Sequence, residues 1–236
     1  MKGTELVGYL PIATTIVALF FAAKLFIRYR ERGGTHHLWW IVGMLTYAAG
    51  TITESLTTLT GWHEPIFRAW YITGALLGGA PLATGTVYLL MKRRNADMLA
   101  FAVTMVVVIA SISVILSPID YSLVQPYRLS GKVLEWHWVR MFSPFVNLYA
   151  VAFLIGGAIL SAMRYRRRSE TYHRYVGNLL IAVGALLPGI GGTFTRFGHT
   201  EVLYVTELLG LLVIYAGFRF NTAPAASVAP IAVAAA

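Results

Sequence analysis

Residues 28–37 read RYRERGGTHH and residues 164–173 read RYRRRSETYH, so six of ten positions are identical at a shift of 136 residues. Each copy lies between two long apolar stretches. The same shift pairs further residues without a gap, namely Thr57 with Thr193, His63 with His199 and Gly74 with Gly210. The pattern predicts that the second half of the chain repeats the architecture of the first.

Composition predicts an integral membrane protein. Of the 236 residues, 57% are hydrophobic and only 12% are charged, whereas soluble domains carry about 25% charged residues. Several apolar runs exceed the ~20 residues that a helix needs to cross a bilayer. Runs this long favour helices over barrel strands, which alternate over about ten residues. The first run, at 6–27, is predicted to be a retained helix and not a cleaved signal peptide.

Seven apolar segments are predicted to cross the membrane, at about 5–27, 38–60, 65–91, 97–117, 141–163, 174–196 and 201–220. The loops on one side hold 13 of the 19 basic residues, and the positive-inside rule places such loops in the cytoplasm. We therefore expect the N-terminus outside and the C-terminus in the cytoplasm. The expected location is a bacterial or archaeal cytoplasmic membrane.

The repeat predicts a 3+1+3 arrangement, because the shift maps the first three helices onto the last three. A membrane domain at 1–220 would contain a first repeat at 1–91, a linker helix at 97–117 and a second repeat at 141–220. The tail at 221–236 is rich in alanine and proline, and is predicted to be disordered or bound to a partner.

In topology and size, the layout resembles the 3+1+3 sugar-efflux carriers and is similar to the seven-helix rhodopsins. The resemblance implies a membrane carrier or receptor, and it assigns a role to no residue. A retinal Schiff base of the rhodopsin kind is excluded, because the seventh helix contains no lysine. The four lysines are Lys2, Lys24, Lys92 and Lys132.

Two carboxyl groups lie well inside predicted spans, Glu54 in the second helix and Glu207 in the seventh. Both are about six residues, or roughly 9 Å, from the outer ends of their helices. A carboxylate in the apolar layer costs about a few kcal/mol, so it should find a partner or hold a proton. We expect either buried hydrogen bonds between helices or a polar chamber open to the outside. In such a chamber Glu54 and Glu207 are the candidate catalytic residues for acid–base chemistry.

Four more residues are predicted to bind a ligand together with the two glutamates. Tyr71 and Asn147 reach a similar depth. Arg68 and Arg196 lie nearer the outer mouth, where each could pair with a glutamate. The one long outer loop, at 118–140, is predicted to be an interfacial aromatic belt or a lid over the pocket.

Prolines and small residues predict the shapes of two helices. Pro81 in the third helix and Pro188 in the sixth are expected to kink them or to expose carbonyl groups to a cavity. Small residues such as Gly74 and Gly78 predict close packing between helices.

Metal and haem sites have weak support. The outer histidines His63, His137 and His199 are conceivable zinc ligands, but no HxxxH or HExxH spacing supports them. A haem between His37 and His173 is not favoured, because both histidines lie at the cytoplasmic boundary beside arginines. The chain has no cysteine, which excludes thiolate metal sites and iron–sulfur clusters.

Three functions stay open from the sequence. The first is a bundle that binds or transports a small or lipophilic ligand in an outward-facing polar pocket. The second is a non-catalytic subunit of a larger membrane complex. The third is an intramembrane enzyme acting on a lipid or isoprenoid with Glu54 and Glu207, an arrangement similar to the small membrane terpene-cyclase families. The expected partners are the lipid bilayer and other membrane subunits; the net charge of +9 is explained by the cytoplasmic loops, so nucleic acid is not expected.

Overall fold

The computed structural model describes residues 7–166, 169–195 and 197–223, and within these ranges the protein is helical, without a β-strand. In the described part of the chain, six helices are both long enough and apolar enough to cross a membrane, and one further long helix is less apolar. The long helices are α1 (Leu10–Arg32), α2 (Thr35–Thr60), α3 (Glu64–Leu90), α4 (Arg93–Leu116), α5 (His137–Tyr165), α6 (Tyr172–Thr195) and α7 (Thr200–Thr222). The predicted all-helical fold of the membrane type is therefore confirmed at this level.

The helices extend beyond the apolar runs from which they were predicted. α1 continues past Ile27 to Arg32, and α7 ends at Thr222, inside the predicted tail. The remainder of that tail, 224–236, lies outside the described residues. Arginine and lysine at helix ends can lay their aliphatic stems along apolar surface while the charged group reaches water, so a helix need not stop where charge begins.

α2 is the polar exception among the long helices. It contains Glu54 and seven threonines, of which Thr51, Thr53 and Thr57 are buried. The threonine hydroxyls donate to backbone carbonyls one turn earlier, as Thr53 does to Gly50 at 2.6 Å. Buried hydroxyls satisfied in this way cost little, so the most polar helix can lie within the bundle.

Six of the helices form a closed ring through their contacts. α1 packs against α2 and α7, α3 packs against α2 and α5, and α6 packs against α5 and α7. α4 lies outside this ring and packs against α3 and α5. The ring therefore brings α2 and α7, which are far apart in sequence, to either side of α1.

Glycines let the helix backbones approach each other closely. A Cβ atom built on Gly184 of α6 would lie 2.6 Å from the carbonyl oxygen of Gly210 on α7, and one on Gly50 of α2 would lie 3.1 Å from the Cα atom of Gly74 on α3. Contacts this short admit only a hydrogen atom at each position. The predicted close packing through Gly74 is therefore present.

α3 is interrupted halfway along its length. Residues Tyr71–Leu76 form a π-helical turn, and the regular helix resumes at Ala80, one residue before Pro81. The carbonyl oxygen of Ala75 in this stretch accepts hydrogen bonds from α5, including one of 2.8 Å from the Ser143 hydroxyl. The break expected near Pro81 is thus present, whereas Pro188 lies inside the continuous helix α6.

The long loop between α4 and α5 folds over one end of the bundle. We call this end, which consists of residues 61–64, 117–136 and 197–200, the loop end. Val133 and Leu134 are fully buried in the same apolar cluster as Phe67 of α3. The Arg128 guanidinium donates a hydrogen bond of 2.7 Å to the carbonyl oxygen of Thr195, at the end of α6. The loop therefore spans the bundle end from α3 to α6.

The aromatic residues of this loop remain exposed. The rings of Trp136 and Trp138 stack with centroids 5.9 Å apart, and more than half of the surface of Tyr121 and Tyr127 is accessible. The loop thus has features of both expected forms. It covers the bundle end as a lid does, and it presents aromatic rings as an interfacial belt does.

Candidate functional site

Glu54 is the most buried acidic residue of the described chain, with 4% of its surface exposed. It lies in the second half of α2, and one carboxyl oxygen, Oε1, accepts a hydrogen bond of 3.0 Å from the indole nitrogen of Trp70 on α3. An indole N–H buried in an apolar layer requires an acceptor, and a buried carboxyl group requires a donor, so each group satisfies the other.

The Glu207 carboxyl group lies within hydrogen-bonding distance of the Glu54 carboxyl group. The Tyr47 hydroxyl on α2 also donates to the backbone carbonyl oxygen of Glu207 on α7 at 3.2 Å. The Oε2 atom of each glutamate is buried and receives no hydrogen bond from the described residues. The structure therefore brings the two predicted glutamates together as a carboxyl pair in which neither Oε2 atom has a donor from the described residues outside the pair.

Three aromatic side chains lie near the carboxyl pair. Tyr47 and Tyr204 lie close enough to both glutamates to interact electrostatically with them, and the Tyr204 hydroxyl is within hydrogen-bonding distance of Thr58. Together with Trp70, these rings give the pair walls that are apolar on their faces and polar at their tips.

No basic side chain in the described ranges forms an ion pair with Glu54 or Glu207. Two carboxyl groups in contact and away from water repel each other strongly when both are ionised. The pair therefore holds at least one proton, as paired carboxyl groups do in other proteins. Chemically, such a pair can donate a proton, accept one, or bind a cation in place of one.

Arg68 pairs with a different glutamate from those expected. Its guanidinium donates to Glu64 Oε1 at 2.7 Å and to the carbonyl oxygen of Ser117 at 3.0 Å, and it also donates to the carbonyl of Val114. Glu64 precedes Arg68 by one helical turn, which favours the ion pair. The free carbonyl groups at the end of α4 attract the same cation. Arg68 therefore bonds to residues of the loop end and not to the carboxyl pair, and Arg196 lies outside the described residues.

Tyr121 from the long loop extends this ionic cluster. Its hydroxyl donates to Glu64 Oε2 at 2.5 Å. This hydrogen bond raises the pKa of the Tyr121 phenol, because ionisation would remove the bond and place a second negative charge beside the carboxylate. The cluster fixes the loop to α3 without involving the carboxyl pair.

Tyr71 and Asn147 lie away from the carboxyl pair. Tyr71 is buried beneath the long loop, where a Cβ atom on Gly131 would come within 2.6 Å of its ring. Asn147 is exposed and donates to the carbonyl oxygen of Ala75 at 3.4 Å. Successive residues of a helix point about 100° apart, so Trp70 faces Glu54 while its neighbour Tyr71 faces the loop.

Sequence reasoning missed Trp70, Tyr47 and Tyr204 as members of the site. A signal for them exists, because an indole N–H or phenol O–H within an apolar span needs an acceptor. The sequence offers many such aromatic residues, and only the packing of α2, α3 and α7 selects these three.

The histidines do not assemble into a metal site. In the described part of the chain, no group of three or more histidine, aspartate or glutamate residues is placed to hold a metal ion. His199 contacts Glu201 at 3.0 Å, and His63 contacts the carbonyl oxygen of Thr60 at 3.3 Å; His137 lies in a short 3-10 turn. His37 and His173, the two histidines considered as haem ligands, are both buried. Nδ1 of His37 lies 2.6 Å from the carbonyl oxygen of Gly33.

The fold and site together define a helical bundle of the multi-pass membrane type with a buried pair of carboxyl groups between two helices. Comparison with protein families, with characterised proteins and with solved structures finds no match to this chain.

Proposed function

We propose that this chain is a membrane protein that binds or transports a small lipophilic ligand at the Glu54–Glu207 pair. The observation that carries the proposal is the contact between the two carboxyl groups, with an oxygen on each that has no donor from the described residues outside the pair. A pair with a purely structural role would be expected to be satisfied by an arginine, a lysine or further hydrogen bonds. An intramembrane ionisable group left unsatisfied is by default a functional site.

Seven spans and the predicted orientation form part of the proposal. α2 has 26 residues, which at 1.5 Å per residue is about 39 Å and is long enough to cross a bilayer. Several of its polar side chains, among them Thr51, Thr53 and Thr57, are buried, and this lowers the penalty for inserting it. With the arginine-rich ends in the cytoplasm, the loop end faces outside, and the carboxyl pair lies below it.

The proposed 3+1+3 duplication has support from helix neighbours. α1 packs against α2 and α7, and its proposed counterpart α5 packs against the counterparts α6 and α3. The two glycine contacts also correspond, because Gly74 and Gly210 are equivalent at the shift of 136 residues and each meets the preceding helix. A repeat of this kind suits a carrier with a site between its halves.

A charge-matched series of compact lipophilic probes tests this function. Adamantylamine, adamantanol and adamantane carboxylate are added separately to the purified protein in lipid nanodiscs, and thermal unfolding is followed. We expect at least one probe to raise the midpoint of the wild type, because a ligand that binds only the folded state stabilises it. The shift should be lost in the Glu54→Gln/Glu207→Gln double variant.

Glu64→Gln supplies the matched control, because Glu64 lies outside the pair and is held by Arg68 and Tyr121. This variant should respond to the probe as the wild type does. Shifts of equal size in the double variant, or the absence of a shift for all three probes, would contradict ligand binding at the pair. Purification only with fixed stoichiometric partner proteins would favour the subunit function.

A second candidate function is acid catalysis on an isoprenoid, and the aromatic lining favours it. The carboxyl pair would protonate an alkene or epoxide, and the rings of Trp70, Tyr47 and Tyr204 would stabilise the carbocation that forms. Incubation with long-chain polyprenyl epoxides tests this function. Cyclised product that forms equally in the double variant would exclude these roles for the glutamates.

A further inference from the structure

We propose that the ligand of the Glu54–Glu207 pair is a monovalent lipophilic organic cation, bound in exchange for one proton. The inference rests on the proposed function and gives its ligand a chemical class. It requires the two oxygens without donors, the absence of a paired basic side chain in the described ranges, and the aromatic walls.

No described residue outside the pair balances a negative charge on it. Oε2 of Glu54 and Oε2 of Glu207 are both buried and unpaired, and Glu54 as a whole is 4% exposed. Two described arginines near the loop end have other partners, Arg68 with Glu64 and Arg128 with the carbonyl of Thr195. A cationic centre can satisfy the carboxylate that forms when the pair releases a proton, whereas an anion finds no cationic partner in the pair.

The surroundings favour an organic cation over a metal ion. Hard cations such as Ca²⁺ take about six to eight oxygen ligands, and the pair supplies two free oxygens. The neighbouring groups are instead the rings of Trp70, Tyr47 and Tyr204. Aromatic rings attract weakly hydrated organic cations and also accept the apolar substituents around the charge.

Charge balance sets the exchange stoichiometry. With both carboxyl groups protonated the empty pair is neutral, as an apolar layer requires. When one cation binds, one carboxyl group releases its proton, and the site again has no net charge. The other titratable groups that interact with the pair are the phenols of Tyr47 and Tyr204, and Tyr204 also interacts with Arg128.

Three probes of the same shape and different charge test the inference. Tetraphenylphosphonium, tetraphenylborate and tetraphenylmethane are titrated into the full-length protein in nanodiscs of neutral lipid. Binding is measured by calorimetry, and proton release is measured with an indicator dye in weak buffer. We expect the phosphonium alone to bind and to release one proton per bound cation. Its affinity should weaken about tenfold for each unit by which the pH falls below neutral, since one proton competes with one cation.

Variants assign the exchange to the pair. The double variant Glu54→Gln/Glu207→Gln should abolish both phosphonium binding and proton release, because it leaves no ionisable carboxyl group to exchange a proton for the cation. Glu64→Gln should leave binding and proton release unchanged. The three probes also decide the question on the wild type alone, so that a variant that unfolds does not obscure the outcome.

The possible outcomes distinguish failure of this inference from failure of the proposed function. Binding of the borate or of the neutral analogue as tightly as the phosphonium would overturn the cation and leave a pair-dependent ligand site. Phosphonium binding without proton release would overturn the exchange. If none of the tetraphenyl probes binds while an adamantane probe binds at the pair, the inference is wrong and the proposed function stands.

Discussion

Replacing Gly184 by alanine should destabilise the bundle measurably, since α6 and α7 touch through their backbones there. The added Cβ atom would lie 2.6 Å from the carbonyl oxygen of Gly210 and 2.8 Å from the backbone nitrogen of Ile214. Ordinary contact begins at 3.4 Å, so the helices must separate locally by about 0.8 Å. Neither partner is a flexible side chain that can rotate away.

The expected cost follows from this separation. A gap of about 0.5–1 Å forfeits a quarter to a half of the attraction between contacting atoms, and overpacked sites in cores typically cost about 1–3 kcal/mol. We therefore expect Gly184→Ala to lower the free energy of unfolding by about 1–3 kcal/mol. The assay is reversible unfolding in mixed micelles with increasing denaturing detergent.

Gly192→Ala is the control on the same helix. A Cβ atom on Gly192 would meet no atom within 4 Å, so alanine should leave stability unchanged or raise it by about 0.5–1 kcal/mol through helix propensity. Equal effects of the two substitutions would refute the reasoning, because they would show that α6 and α7 do not approach through Gly184.

Three further outcomes are expected. Trp70→Phe removes the donor to Glu54 and should lower the free energy of unfolding by about 1–3 kcal/mol. The control Trp138→Phe, at an exposed ring, should lower it by less than about 0.5 kcal/mol in the same assay. Equal losses would argue against the Trp70–Glu54 hydrogen bond. Arg68→Ala breaks contacts to the end of α4 and should speed proteolytic cleavage in the long loop; unchanged cleavage would show that Arg68 does not hold that segment. The hydrogen bond to Glu64 raises the pKa of the Tyr121 phenol. In an NMR titration, the midpoint for the Tyr121 ring signal should therefore lie at lower pH in Glu64→Gln than in the wild type. The same midpoint in both proteins would contradict the hydrogen bond.

The fold class follows from the sequence because apolar length is a local property. A run of about 20 apolar residues predicts a spanning helix wherever the run lies, and six such helices are present in the described chain. Features that depend on backbone hydrogen bonding were harder to predict from the sequence. The π-helical turn at Tyr71–Leu76 was indicated only by Pro81 nearby, and the helix ends extend past the apolar runs because arginine stems tolerate the boundary.

The site was predicted only in part, because the sequence gives the depth of a residue in the membrane but not the direction in which its side chain points. Glu54 and Glu207 were selected because a carboxyl group in an apolar span is costly, and the structure brings them into contact. Equal depth along the membrane does not establish equal direction around a helix axis. Tyr71 and Asn147 share the depth of the glutamates, yet one faces the loop and the other the carbonyl of Ala75.

Arg68 illustrates the same limit for charge. The sequence offers it Glu54 and Glu207 deeper in their spans and Glu64 one turn away on its own helix, and Arg68 pairs with Glu64. Local ion pairs one turn apart form without any long-range packing. A pairing inferred from depth alone therefore has to be weighed against the partner one turn away.

The most direct test of the central claim is a double-mutant cycle between the two glutamates. The free energy of unfolding is measured for the wild type, for Glu54→Gln, for Glu207→Gln and for the double variant. Side chains that share a proton should show a coupling of at least about 0.5 kcal/mol. The matched cycle between Glu54 and Glu64, which share no partner, should be additive within about 0.3–0.5 kcal/mol. Additivity in the Glu54–Glu207 cycle as well would contradict the carboxyl pair and the function proposed for it.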